Sequence, residues 1–234
     1  MPTHHPFPAT RWSVVLSAGQ GGRQALETLC TGAWLPLYAF ARRRGLAPAE
    51  AEDAVQAFLA ALLEREALGR ADPARGRFRT FLLRAFTNHL NDAWDATRAA
   101  KRGGGRVVQG GSEARWAAEI SAVSVDLPPE AEFDRRWAFD LLDASRRDLE
   151  TSYAAAGKGA LFAALAPGLE GGAPDPAVLT ALGLSEGAAK VALHRLRSRW
   201  RDAMRAQVAD TLEPGESVDD EIAHLLAAVQ GCNR

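Results

Sequence analysis

Residues 176–208 read PAVLTALGLSEGAAKVALHRLRSRWRDAMRAQV, and this stretch decides how the rest of the chain is read. Pro176 opens a short helix that Gly183 ends, Leu184 makes the turn, and Ser185 can accept a backbone N–H at the start of a second helix running to about Val208. On that second helix Ala189, Leu193, Leu196 and Trp200 fall at i, i+4, i+7 and i+11, one stripe that wants burial. Lys190, His194, Arg195, Arg197, Arg199 and Arg201 lie mainly off it. Short helix, glycine turn and longer helix make a helix-turn-helix pattern.

Upstream the same helical period continues through Phe133–Tyr153 and Leu161–Leu165. Before it lie Gly103–Gly105, Gly110, Gly111 and an acidic, proline-containing stretch to Pro129, the composition of a flexible linker of about thirty residues. Further toward the N-terminus, residues 10–31 and 33–44, Ala49–Arg65 and Phe78 to about Ala100 each space their apolar side chains at three and four. No segment alternates as a strand would. The expected fold is therefore all-α, with two helical domains joined by a linker: 1–102, linker 103–132, helix-turn-helix domain 133–211, and an acidic extension 212–234.

Composition narrows the class. The 234 residues are 47% apolar with a net charge of −1, as in a soluble globular protein. That neutrality hides blocks of opposite sign: 70–106 sums to +6 and 185–205 to +4, against −4 over 46–69, −5 over 107–150 and −5 over 206–234. Separated basic blocks are the electrostatic footprint of a nucleic-acid binder. Cys30 and Cys232 have no ligand spacing, no secretion signal opens the chain, and no run of eighteen apolar residues occurs, so a cytoplasmic protein without membrane contact is expected. His4, His5, His89, His194 and His224 show no metal spacing, no glycine loop follows a strand, and no carboxylate pair has a catalytic partner. Neither cofactor, metal nor enzymatic activity is expected.

Three surfaces remain as candidates. The 185–205 helix can enter a major groove at its N-terminal end while its arginines meet phosphates. The 70–106 block interleaves Phe78, Phe81, Phe86 and Trp94 with arginines and Lys101, which suits single-stranded nucleic acid. Phe81 and Phe86 are at core spacing, so Arg98, Lys101 and Arg102 are its better contacts. The 49–64 helix carries Glu52, Asp53 and Gln56 opposite its apolar stripe, which alone reads as a solvated face. The tail after Thr211 ends in an amphipathic stretch with Ile222, Leu225, Leu226 and Val229; capping the core of the second domain is favoured over folding across a basic surface.

In order along the chain, AEDAVQAF, FRTFLLRAFTNHLNDAW, the linker and GLSEGAAKVALHRLR resemble an extracytoplasmic-function (ECF) type RNA polymerase sigma factor, from about Thr10 to about Ala206. The resemblance implies that Glu52, Asp53 and Gln56 dock on the β′ coiled coil of core polymerase, with Ala57 where the family commonly has Glu. It implies that Phe81, Asn88 and Asp92, with Arg98, Lys101 and Arg102, engage and melt the −10 promoter element; Asp95 stands near the place of a family arginine. It further implies that Ser185, Glu186, Lys190, His194, Arg195 and Arg197 read the −35 element, Val191-Ala192 replacing a common Ser-Arg. The implied partners are core RNA polymerase, through the β′ coiled coil and the β flap, and promoter DNA; an anti-sigma factor is a further partner it allows. Two other readings stay open: a helix-turn-helix regulator acting without polymerase, and a polymerase-binding adaptor without promoter activity.

Overall fold

The computed structural model describes residues 23–64, 77–101, 127–209, 211–212 and 215–230, and these are helical with no strand among them. In chain order they form α1 (Arg23–Arg43), α2 (Pro48–Glu64), α3 (Phe78–Lys101), α4 (Pro129–Ala155), α5 (Gly159–Leu165), a 3₁₀ turn (Ala166–Leu169), α6 (Pro176–Ala181), α7 (Glu186–Ala209) and α8 (Val218–Gln230). The expected helices before residue 23, the 66–76 loop, the glycine-rich stretch 103–126 and Cys232 lie outside the described residues. The chain divides into two compact units, residues 1–139 with 210–234, and residues 140–209.

In the first unit α1 ends at a glycine turn, where Leu46 N–H bonds Ala41 O at 3.2 Å and Gly45 N–H bonds Arg42 O at 3.0 Å. Pro48 then starts α2, and Glu50 turns back to accept the Ala47 N–H at 2.9 Å, so two of the groups a helix start leaves orphaned are dealt with locally. Val55, Phe58, Leu59 and Leu62 of α2 are buried, as are Leu37 and Phe40 of α1 and the row Phe78, Leu82, Phe86 and Leu90 of α3. Phe86 is the hub, its ring centroid 5.0 Å from Phe58 and 6.0 Å from Phe40. The first turns of α4 belong here too: Phe133 and Trp137 are fully buried, and Trp137 lies 6.0 Å from Phe78.

The tail completes this unit. Thr211 O accepts the first N–H of α3, from Phe78, at 3.3 Å, Ser217 Oγ accepts the Asp220 N–H to start α8, and Leu225 is buried. The acidic extension was expected to cap the second domain's core; instead it packs with the first unit. An amphipathic pattern states that a face will be covered but not which surface covers it.

In the second unit Leu149, Tyr153, Phe162, Leu165 and Leu196 form the core, with Leu161, Leu169, Leu179, Ala192, Leu193 and Trp200 against it. The Trp200 indole N–H donates to Ser145 Oγ at 3.0 Å, which satisfies its one polar atom. The stripe read from the sequence on α7 is the side that packs: Ala189 and Leu196 are buried, Leu193 and Trp200 half-buried. Asp175 Oδ1 accepts the Ala177 N–H at 2.8 Å to start α6, and Gly183 takes φ +71° at its end, a conformation open to glycine at little cost. Ser185 Oγ then accepts the Ala188 N–H at 3.2 Å and α7 begins.

Candidate functional site

On α2 the three polar candidates part company. Gln56 is exposed beside Ala57 and Ala60, and Asp53 is half-buried. Glu52, expected on the outer face, is 2% exposed, and its Oε2 has no hydrogen-bond partner among the described residues. The reason is angular: Glu52 stands at i, i+3, i+7 and i+10 with Val55, Leu59 and Leu62, in the row that packs. It faces the buried Tyr38, whose hydroxyl is pushed above its ordinary range by burial, with Arg42 opposing and Glu52 adding to the rise.

On α3 Phe81 is half-buried while Arg84, Asn88 and Asp92 are exposed, and their spacing of three and four puts them on one face. Arg98 and Lys101 continue the helix, but their side chains lie outside the described residues, as does all of Arg102. Toward the far end, Arg44 of the α1 terminus reaches across: its guanidinium lies 5.6 Å from the Trp94 ring centroid and donates to Asn91 Oδ1 at 3.3 Å. Trp94 is 48% exposed, so a cation and an aromatic face sit together with Asn91 at this end of α3. Arg44 and Asn91 were missed from the sequence; the run Arg42–Arg44 was the only signal, and it points along α1 rather than toward α3.

At the near end of α3 two arginines meet the tail. Arg79 donates from Nε to Glu221 Oε1 at 2.7 Å and from Nη1 to Asp134 Oδ1, and its already high pKa is raised further by these partners against its own burial. Arg77 Nη1 lies 2.6 Å from Glu221 Oε2, and Arg77 Nε lies 3.1 Å from Glu216 Oε1. Glu221 itself is 1% exposed. Asp134 Oδ2 is 2.9 Å from His224 Nε2. The basic block therefore contains one arginine, Arg79, that is a structural anchor.

On α7 Lys190, His194 and Arg195 are exposed and lie near the N-terminal end, with Ser185 engaged as the cap. Lys190 Nζ pairs with Glu186 Oε1 at 2.6 Å, which holds the Glu186 carboxyl below its ordinary range and lifts Lys190 above its own. Arg197 points elsewhere: Nε and Nη2 both donate to Gly168 O, at 3.1 and 2.7 Å. Of the pair Val191-Ala192, Ala192 packs against the core and Val191 alone is presented, at 51% exposure. Among the described residues no group of three His, Cys, Asp or Glu could hold a metal ion, and no helix is long and apolar enough to cross a membrane.

No curated protein and no solved structure matches the chain. A family model does: sigma-70 region 2 matches residues 35–100. That span takes in α1 from residue 35 to its end, Arg44 just beyond it, all of α2, and α3 to within one residue of its end, so it holds Glu52, Asp53, Gln56, Phe81, Asn88, Asp92 and Arg98. It stops short of Lys101 and Arg102, and α4–α7 lie outside it. Over residues 35–100 the chain thus carries the pattern of sigma-70 region 2, the region that in this family binds core RNA polymerase and melts the −10 promoter element.

Proposed function

We propose that the chain is a sigma factor of the ECF type, whose first unit binds core RNA polymerase and opens the −10 element while its second unit reads the −35 duplex. The observation that carries the reading is the outer face of α3, where Phe81, Arg84, Asn88 and Asp92 stand in line within the matched span. Taking a base out of the stack costs a few kcal/mol, returned by stacking and by hydrogen bonds to its edge. An aromatic residue, an amide and a carboxylate on one face, with Arg84 for a phosphate and Arg98, Lys101 and Arg102 beyond, are the groups this needs. Gln56 with Asp53 is the polar surface offered to the β′ coiled coil.

In the second unit α7 enters the major groove by its N-terminal end. Lys190, His194 and Arg195 approach base edges and phosphates, Ser185 and Glu186 fix the helix start, and Arg197 holds the helix from behind rather than touching DNA. With Val191 at the centre of this face, phosphate contacts and groove shape carry more of the recognition than base-edge hydrogen bonds. The same unit is the one to meet the β flap. The protein works in the cytoplasm and performs no covalent chemistry of its own.

Run-off transcription with purified core polymerase over a genomic fragment library tests this. The expected result is a set of transcripts whose start sites share −35 and −10 sequences. Co-purification with core without transcripts would establish the adaptor reading instead. A footprint on DNA without any binding to core would establish the regulator.

A further inference from the structure

We infer that Arg77 is a further nucleic-acid phosphate contact of the first unit, held out of use by the carboxylates of the C-terminal segment. The inference rests on the reading of the outer face of α3 as a DNA surface. Arg77 stands at i with Phe81, Arg84, Asn88 and Asp92 at i+4, i+7, i+11 and i+15, so it heads the same stripe, whereas Arg79 projects from another side, toward Asp134. From Arg77 to Asn88 the helix rises about 17 Å. That is the reach of about five nucleotides of one duplex strand.

The guanidinium of Arg77 is occupied by Glu221 at 2.6 Å and Glu216 at 3.1 Å. Guanidinium N–H donors bind carboxylate and phosphate oxygens alike, so each glutamate occupies a donor that a backbone phosphate would use, Glu216 at Nε and Glu221 at Nη1. The segment 206–234 has a net charge of −5, and two of its described carboxylates, Glu216 and Glu221, meet the chain near the start of a block of +6. The two arginines divide the work. Arg79 keeps Glu221 and Asp134 and with them the seat of α8, and Thr211 O holds the first turn of α3. Arg77, its side chain 29% accessible, can change partners without unseating the tail. Glu216, 28% accessible on the turn before α8, is the partner that can let go. The tail and the nucleic acid therefore compete for one side chain, and the first unit binds DNA more weakly than its charge would allow.

The test uses the full chain and a short fluorescein-labelled single-stranded DNA, read by anisotropy across a salt series, with melting curves recorded for each variant. Glu216→Gln should bind more tightly than wild type. One added phosphate contact steepens the single-strand salt slope by about 0.7, so the gain at about 50 mM salt exceeds that at about 200 mM by about 2.6-fold. Asp220→Asn makes the same change in net charge on the exposed first turn of α8 and should give a smaller gain without the added slope. Arg77→Ala in the Glu216→Gln background should remove the gain. Equal gains from Glu216→Gln and Asp220→Asn, a gain that survives Arg77→Ala, or no gain at all would each overturn the inference. If Glu216→Gln melts early, Glu216→Ala is read in its place by the same criteria. Arg84→Ala separates the two levels. If it weakens binding while Glu216→Gln changes nothing, only the restraint on Arg77 fails; if Arg84→Ala has no effect on binding in any background, the α3 surface itself is wrong and the inference falls with it.

Discussion

Arg197 donates twice to the carbonyl of Gly168, at 3.1 and 2.7 Å, and so ties the middle of α7 to the 3₁₀ turn. A hydrogen bond from a charged donor contributes more than a neutral one, about 1.5–3 kcal/mol. Arg197→Ala is therefore expected to lower the stability of the second unit by about that amount, seen as an earlier chemical-denaturation midpoint. Arg195→Ala should leave the midpoint in place and reduce the salt slope of duplex binding by about 1. Equal effects of the two variants on duplex binding, with no effect on folding, would return Arg197 to the DNA surface.

Arg79 is buried against Glu221 and Asp134, and removing it leaves the buried Glu221 with Arg77 and Asp134 with His224, each short of the partner that ties them together. Breaking one side of a buried pair costs about 3–5 kcal/mol. Arg79→Ala should therefore unfold the first unit at far lower denaturant than wild type. Asp134→Asn should cost less, because Glu221 still holds the guanidinium. Hydrogen exchange of the α3 and α8 amides would report both.

The α2 surface makes a contrast within one helix. Gln56→Ala with Asp53→Ala should weaken binding to core polymerase, measured by co-migration, and leave binding of the second unit's target duplex unchanged. Glu52→Leu replaces a buried carboxylate that has one unpartnered oxygen with an apolar side chain. Leaving a polar atom unsatisfied costs about 1–3 kcal/mol, so this variant should fold as well as wild type or slightly better while its binding to core stays within error.

The Glu186–Lys190 pair at the start of α7 occupies a cation that DNA would use. Glu186→Gln should raise duplex affinity and steepen its salt dependence. Because Lys190 holds the Glu186 carboxyl below its ordinary value, the pair is intact throughout neutral and mildly acidic pH. It is lost only as pH falls through that lowered value. In a His194→Ala background, which removes the imidazole from this face, duplex affinity should therefore not rise between neutral pH and the ordinary carboxylate range, and an increase there would mean that the pair does not restrain Lys190.

The periodic parts of this fold were open to reading because they are local. Ala189, Leu193, Leu196 and Trp200 declare their side of α7 by spacing alone, and Gly183 and Ser185 declare the turn by their chemistry. Glu52 was misplaced because a polar residue at the edge of an apolar row can fall either way, and only the position of α1 decides it. Arg197 resembled its neighbours on the wheel; its partner is a backbone carbonyl 29 residues earlier, which no side-chain pattern marks. The seat of α8 was beyond reach for the same reason at larger scale. Its buried Glu221 looks like one more acid in an acidic tail until Arg77 and Arg79 are placed beside it.

That seat also sets a clock. Arg79 and Glu221 are 142 positions apart, so a ribosome elongating at about 5–20 residues per second takes about 7 to 28 s to deliver the second after the first. During that interval the beginning of α3 exists without its partner carboxylate, its capping carbonyl from Thr211 or the apolar cover of Leu225. The first unit is thus finished last, although most of it is made first, and a nascent chain interrupted after α7 would carry the matched region with Arg77 released from the tail's carboxylates and Arg79 held by Asp134 without Glu221.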